Sequence, residues 1–486
     1  MQEENSSSSY RSIFKATSFF GGVQVILIIV NIVKSKIIAV LLGPAGIGLL
    51  GIYQSSIGLI QNLSSMGLSQ SAVRDVAEAN GQSDDNKIRR TVSVLRGLVW
   101  ITGSIGVLLF VLSSPLLSNF SFGSYGKWLY FVLLSPILLF DQLSKGQKVV
   151  LQGLRRLKDL AKTTLLGAIF GLLISIPLYI ILGIDGIIPM LVITSIAGLF
   201  VSWFYSRKAN IHTVSIGIMQ MINEGKSMMR LGFAMSITTV LASTSNYVLL
   251  SFLQRMGGVE IVGYYQAGSM IINSYAGMMF TAMATDFFPR LSAVNKDNCI
   301  CTKIINRQIE IGLLILGPML LIAFLFMPYF VVILYSDSFL PVCSFIIFST
   351  IGILFKLCSW AISYVLIAKE DSSTFLWSEG VSCAYMLLFN IVGYLVGGLT
   401  GMGISFAFSY IIYLVQVFII ANRKYEYIMS QQVLRLLFIC LLLSIICILI
   451  IMSFNGGIKY YMGLLVLSIS LVYSGKKIMF KIRNDD

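Results

Sequence analysis

Charged residues are scarce in this sequence, and long polar segments are missing. Only 12% of the 486 residues are charged, 57% are hydrophobic, and the mean hydropathy is +0.86. An ordinary soluble domain carries about 25% charged residues, so this composition does not describe one. Repeated apolar runs of about twenty residues predict an all-α, multi-pass integral membrane protein instead.

Groups that carry catalysis are equally scarce. The sequence has one histidine, His212, and seven cysteines that are scattered singly apart from Cys299 and Cys301. We therefore expect no disulfide, metal site or cofactor. The absence of a Gly-rich nucleotide loop argues against ATP-driven transport. The outside loops also lack the clustered carboxylates that would be expected of a membrane enzyme. The hydrophilic first nine residues lack the features of a signal peptide.

Fourteen transmembrane helices are predicted, with boundaries good to a few residues. They are placed at 17–42, 46–69, 91–113, 127–147, 162–182, 186–206, 228–253, 261–286, 308–334, 342–367, 374–396, 402–422, 433–453 and 456–475.

The distribution of Lys and Arg predicts the orientation. With a cytoplasmic N-terminus, 29 of the 35 basic residues fall in inside segments, and only Lys127, Arg255 and Lys459 fall outside. This bias predicts an even number of spans with both termini in the cytoplasm. The net charge of +14 then faces anionic lipid of the inner leaflet, so membrane lipid is expected as a partner and nucleic acid is not.

An internal repeat divides the chain. Gly51, Tyr53 and Gln54 recur as Gly263, Tyr265 and Gln266, at an offset of 212 residues. The short outside turn at 183–186 likewise recurs at 398–401. We therefore predict two parallel six-helix lobes with a substrate path between them, as in parallel-repeat transporters.

The predicted domains follow from this repeat. They are an N-lobe at 1–208, a cytoplasmic linker at 209–227, a C-lobe at 228–425, and a C-terminal hairpin with a basic tail at 426–486. The linker has a weakly amphipathic middle, which suggests an interfacial helix or a plain tether.

Span one contains Asn31, Lys34 and Lys36 in an otherwise apolar run. A cation within a span costs a few kcal/mol and therefore needs compensation. Lys34, three residues after Asn31 on one helix face, is a candidate ligand for an anionic headgroup. The alternative is that both lysines extend to the outer headgroups.

Amides line three further spans. Gln54 and Gln61 share a stripe on span two, Gln266 and Asn273 occupy the positions at the 212 offset on span eight, and Asn246 lies on span seven. Amides that both donate and accept suit sugar hydroxyls. We predict that Gln54 and Gln266 line one central cleft. The alternative for the span-seven stripe is close helix packing by small residues.

Two more ionisable residues lie within spans. Lys356 on span ten is a candidate substrate ligand, and Glu379 on span eleven is a candidate ion-coupling site, because a buried carboxyl can titrate near neutral pH. A structural pair between Glu379 and Lys356 or Lys369 is the alternative.

Two sequence motifs resemble a known family. The stretch 36–54 contains Leu42-Gly43-Pro44 followed by Gly46 and Gly48, and resembles the first hairpin of polysaccharide flippases. The stretch Gln152-Gly153-Leu154-Arg155-Arg156 is similar to an inside loop of O-antigen translocases, the Wzx type, of the multidrug/oligosaccharidyl-lipid/polysaccharide (MOP) exporter superfamily. With two six-span halves and an extra hairpin, the resemblance covers nearly the whole chain.

The resemblance implies a transporter with a MATE-like, two-lobed fold in the bacterial inner membrane. Its substrate would be an undecaprenyl-pyrophosphate-linked O-antigen or polysaccharide repeat unit, moved from the cytoplasmic to the periplasmic leaflet. It also implies an anion-binding role for Lys34, an ion gradient as the energy source, and a polymerase and chain-length regulator as candidate partners in lipopolysaccharide biosynthesis.

Two other functions remain open on the sequence alone. One is a cation-coupled multidrug exporter, although span one lacks the carboxylate that the drug-efflux branch carries there. The other is a membrane enzyme of polysaccharide assembly.

Overall fold

A computed structural model shows an all-α protein. It describes residues 2–82, 84–211, 214–454 and 456–485, so His212 lies outside the described residues. Side chains are described from Gly22 onward, except at 24, 25, 234, 275, 276, 278, 482, 484 and 485. Within these limits the chain forms fourteen α-helices and no β-strand.

The helices of the first part of the chain are α1 (Gln2–Ser65), α2 (Leu68–Gly81), α3 (Asp85–Phe122), α4 (Trp128–Leu134), α5 (Pro136–Gly153), α6 (Leu157–Leu182), α7 (Ile187–Arg207) and α8 (Ile218–Gly257). The remaining helices are α9 (Val259–Ala293), α10 (Asn298–Leu334), α11 (Val342–Ala368), α12 (Ser372–Tyr425), α13 (Gln431–Ser453) and α14 (Gly457–Asp485).

Glycine breaks divide the two longest helices. Gly43 in α1 has φ 64° and ψ −166°, and Pro44, which has no N–H to donate, follows it. Gly398 in α12 has φ 55° and ψ −138°. These breaks lie between the predicted spans one and two and between spans eleven and twelve, so α1 and α12 each contain two crossings.

Nine stretches of the described residues are long and apolar enough to cross a membrane. Three of them, of 40, 51 and 54 residues, contain a break or a turn and are long enough to cross twice. Six single and three double stretches therefore account for twelve crossings. The two remaining predicted spans correspond to α4 with α5 and to α9. The prediction of an all-α membrane fold with about fourteen crossings is confirmed.

The chain divides into two compact units, at Met1–Gly263 and Tyr264–Asp486. The first unit contains α8, which packs against α1, α2 and α3. This division lies later in the chain than the predicted lobe boundary, because the seventh span contacts helices of the first six. The lobe bounds at 208 and 228 remain a prediction.

The repeated tyrosines have the same structural role in each unit. Tyr53 is buried in the core of the first unit and packs edge-on against Phe131 of the fourth span, with ring centroids 5.7 Å apart. Tyr265 in the second unit packs against Phe345 of the tenth span at 5.5 Å. Because the fourth and tenth spans are six apart, both tyrosines anchor equivalent helix pairs.

Polar bonds hold the helices of the second unit together at one end. Buried Asn306 of α10 accepts from the Tyr427 hydroxyl at 3.0 Å and donates to the carbonyl of Ile428 at 2.9 Å. Nearby, buried Glu310 pairs with Lys481 of α14. These contacts fix α13 and α14 on α10, since a buried carboxylate needs a partner.

Candidate functional site

Lys34 lies on the first segment of α1. It is half-buried, and Asn31 three residues earlier is exposed. Among the described residues, no carboxylate lies within 4.0 Å of the Lys34 ammonium. Lys34 precedes the break at Gly43 by nine residues, or about 13 Å of helix. A part-desolvated ammonium in this position attracts an anion more strongly than it would in water.

The second segment of α1 makes a polar contact with α8. Asn62 donates from Nδ2 to the Ser243 hydroxyl at 3.2 Å, while Asn246, one turn further along α8, is exposed. Gln54 is also exposed. Gln61 is buried, and its Nε2 has no hydrogen-bond partner among the described residues. Asn62 was not predicted from the sequence, although its amide directly after that of Gln61 was a usable signal.

Two of the predicted amides lie on α9 in the second unit. Gln266 is half-buried and Asn273 is exposed. Their equivalents Gln54 and Gln61 lie in the first unit, and the prediction that they share a cleft remains a prediction. Exposed amides can exchange water for the hydroxyls of a sugar.

Lys356 lies among aromatic rings within the second unit. Its Nζ is 5.9 Å from the ring centre of Phe280 and 5.3 Å from that of Tyr410. Trp360 stacks on Phe280 at 5.4 Å and contacts Tyr364 at 4.8 Å. Such rings hold a cation by its attraction to their faces, and they can also stack on a sugar. These aromatic residues were not predicted from the sequence, although Trp360 and Tyr364 follow Lys356 at four and eight residues, which is a helical spacing.

Glu379 is half-buried and accepts a hydrogen bond from the Tyr413 hydroxyl. Neither lysine proposed as its structural partner contacts it. Lys369 donates instead to the carbonyl of Asn295, and Lys356 lies over the rings just described. The phenol donor stabilises the charged carboxylate, so a change in this hydrogen bond would change how readily Glu379 binds a proton.

Two ion pairs lie outside the predicted spans, one between α3 and α8 and one between the residue before α12 and the end of α12. Arg90 donates to Glu224 through two nitrogens, at 2.9 and 2.5 Å, and these bonds hold the pKa of Glu224 below its usual value. Bonds from Lys424, at 2.8 Å, and from Tyr425 and Thr374 lower the pKa of Asp371. Among the residues that the structure describes, no three or more potential metal ligands lie together.

Comparison with known proteins gives the family. A family model described as "Polysaccharide biosynthesis protein" matches residues 13–295, more than half of the chain. The chain belongs to this family. It is also 20% identical over 412 residues to the lipid III flippase of Escherichia coli (strain K12), covering 83% of this chain and 96% of that protein. The lipid III flippase of Shigella flexneri matches to the same extent.

Solved structures place this family member in the MOP fold. The lipid II flippase MurJ, in an inward closed conformation, superposes with a TM-score of 0.74 at 14% identity, over 96% of this chain and 99% of that chain. An inward-facing multidrug resistance MATE transporter gives 0.68 at 14% identity, over 82% and 94%. These proteins, like the two lipid III flippases, are named as flippases or transporters, in agreement with the prediction of a transporter rather than an enzyme.

Proposed function

We propose that this protein flips undecaprenyl-pyrophosphate-linked O-antigen or polysaccharide repeat units from the cytoplasmic to the periplasmic leaflet of the bacterial inner membrane. It does so by alternating access, with both termini in the cytoplasm. A polysaccharide polymerase and a chain-length regulator act on the delivered substrate.

The observation that carries this proposal is the half-buried ammonium of Lys34, with no carboxylate in ion-pair range among the described residues, in a member of the polysaccharide biosynthesis family. A pyrophosphate supplies the missing negative charge. The relatives named as lipid III flippases act on a lipid-linked substrate, which supports the same class of substrate here.

The rest of the candidate site fits a sugar. Gln54, Asn246, Gln266 and Asn273 offer amides, and the buried Gln61 amide lacks a partner among the described residues. Lys356 with its aromatic rings offers a second cation beside stacking surfaces. These groups match the hydroxyls, ring faces and charge of a lipid-linked oligosaccharide. Glu379, bonded to Tyr413, is the proposed ion-coupling group.

A cation-coupled multidrug exporter is the second candidate, because the MATE fold is similar. Span one, at 17–42, contains no carboxylate to hold a coupling cation, and its charged groups are lysines. This charge favours an anionic substrate over a cationic drug.

Substitutions of Lys34 test the proposal, with surface polysaccharide measured in a deletion strain at equal membrane abundance. Lys34→Arg keeps the charge and should retain display. Lys34→Met keeps a long side chain without the charge and should lose most of the polysaccharide display. Lys34→Glu should lose nearly all of the display. Arg89→Glu, at an exposed position of α3, makes the same charge change elsewhere and should have little effect. Normal display by well-expressed Lys34→Glu protein would contradict the anion site.

A further inference from the structure

A cavity in the first unit is lined by residues other than those of the candidate site. It has a volume of about 930 Å³ and is lined by α3, α5 and α7, with α3 and α7 each packed on α5. Ligand pockets typically span about 300–1,000 Å³, so a headgroup and the upper part of its chains fit here.

Three buried polar atoms at this cavity lack hydrogen-bond partners within the described residues. They are Nε of Arg96, Oε1 of Gln147 and the hydroxyl of Ser206, one from each of the three helices. Natural proteins leave few such atoms unbonded, because burying a polar atom without a hydrogen-bond partner is unfavourable. Three of them around one cavity can bond to a polar ligand.

The charge around the cavity is positive. Arg96 and Arg207 both line it, and no carboxylate pairs with either arginine among the described residues. Arg207 lies 4.9 Å from the ring centre of Trp203, which leaves the edge of its guanidinium for an anion. Arginine binds phosphate oxygens through two parallel hydrogen bonds.

Exposed aromatic side chains line the cavity. Trp100 is 54% exposed and Trp203 is 43% exposed, and the apolar side chain of Phe200 beside them is 64% exposed. Trp203 lies one turn before the end of α7 at Arg207, and tryptophan next to a basic helix end is typical of the membrane interface.

We propose that this cavity binds the headgroup of an anionic glycerophospholipid. The phosphate accepts from Arg96 and Arg207, and headgroup hydroxyls donate to Gln147 Oε1 and bond with the Ser206 hydroxyl. The acyl chains lie along Trp100 and Phe200. In phosphatidylglycerol the phosphate carries one negative charge and the glycerol supplies hydroxyl donors. Phosphatidylcholine and phosphatidylethanolamine have no net charge, and choline also has no donor.

The test uses the full-length protein in detergent micelles and counts bound lipid by native mass spectrometry. Dioleoyl phosphatidylglycerol should bind more tightly than phosphatidylcholine or phosphatidylethanolamine of the same chains. Arg96→Gln should weaken phosphatidylglycerol binding at least about tenfold, which corresponds to about 1.4 kcal/mol, since it removes a charge-assisted hydrogen bond to the phosphate. The control Arg89→Gln, two turns away on α3 and exposed, should bind as the wild type does.

Ser206→Ala keeps the test informative if Arg96→Gln protein does not fold. In phosphatidylcholine the Ser206→Ala protein should unfold at the same or a higher temperature than the wild type, because the substitution removes a buried hydroxyl that lacks a hydrogen-bond partner among the described residues. Its stabilisation by phosphatidylglycerol should be smaller. Equal binding of the three lipids, or equal losses in Arg96→Gln and Arg89→Gln, would overturn the proposal. Displacement by undecaprenyl pyrophosphate at matched concentration would assign the cavity to the transport substrate and overturn it too.

Discussion

Helices α1 and α9 approach so closely at two glycines that a methyl group should separate them. A Cβ on Gly48 would fall on the carbonyl oxygen of Val259, 2.9 Å from Val259 Cγ1 and 3.0 Å from the Gly263 nitrogen. A Cβ on Gly263 would fall on the carbonyl oxygen of Pro44 and 2.7 Å from its carbonyl carbon. The obstacles are mainly backbone atoms, which cannot move aside as a flexible side chain can.

The expected size of the effect follows from this geometry. Forcing one extra carbon into a tight contact costs about 1–3 kcal/mol, which shifts a two-state population about 5- to 150-fold. Gly48→Ala should therefore disfavour the close α1–α9 contact. Because either substitution alone separates the helices, Gly48→Ala with Gly263→Ala should cost less than the sum of the two.

Alkylation of a buried reporter measures this shift. In a cysteine-free background, Val262→Cys places a thiol at a position that is 0% exposed beside the contact. Gly48→Ala should speed its labelling about 5- to 150-fold, since labelling follows the open population. Gly58→Ala is the matched control, because nothing lies within 4 Å of a Cβ there on the same helix. Equal labelling rates in Gly48→Ala and Gly58→Ala would refute the steric argument.

Three further predictions test charge and topology. Glu379→Gln should abolish the dependence of polysaccharide display on an imposed proton gradient. Tyr413→Phe, which removes the hydrogen bond to Glu379, should shift that dependence. Transport by Glu379→Gln protein that equals the wild type across all gradients would exclude the coupling role. Asp371 has a folded-state pKa below its unfolded value of about 3.9, so its stabilisation is full above that pH and is lost as the pH falls further. The difference in melting temperature between wild type and Asp371→Asn should thus be constant from pH 7 to 5 and shrink below about pH 4. A difference that grows in acid would mean that the pKa of Asp371 is raised on folding, and would contradict this prediction. A cysteine at Arg156 should react only from the cytoplasmic side and one at Ile184 only from outside, and labelling of position 156 from outside would invert the topology.

Local signals in the sequence were enough to predict the crossings. Gly43-Pro44 and the Gly398 turn mark helix breaks because both need backbone conformations that interrupt a helix. The turn predicted at 183–186 is the 3₁₀ turn Gly183–Gly186 between α6 and α7. Apolar length and glycine chemistry act within a few residues, so they can be read without tertiary structure.

Helix packing could not be read in this way. The short α2 was not predicted, because its apolar face of Leu68, Ala72 and Val76 is too short to stand out from a loop. The contacts of α8 with α1 to α3 depend on pairs such as Asn62 with Ser243 and Arg90 with Glu224, which are more than 130 residues apart. Nothing in the local spacing identifies such partners.

The candidate site was predicted in part. Ionisable residues within spans, such as Lys34, Lys356 and Glu379, are conspicuous because each costs free energy in an apolar setting. Their surroundings were not conspicuous. The rings around Lys356 come from three helices, and Tyr413 reaches Glu379 from 34 residues away along the chain. Aromatic residues are common in membrane helices, so only their assembly in three dimensions marks them.

Leaflet-resolved measurement of the lipid-linked repeat unit tests the central claim most directly. Deletion of the gene should cause undecaprenyl-pyrophosphate-linked oligosaccharide to accumulate on the cytoplasmic leaflet, where reagents added from the periplasm cannot reach it. Wild-type protein should restore periplasmic exposure of the oligosaccharide, and Lys34→Glu protein at equal abundance should not. Repeat units that reach the periplasmic leaflet at the wild-type rate in the deletion strain would contradict the account.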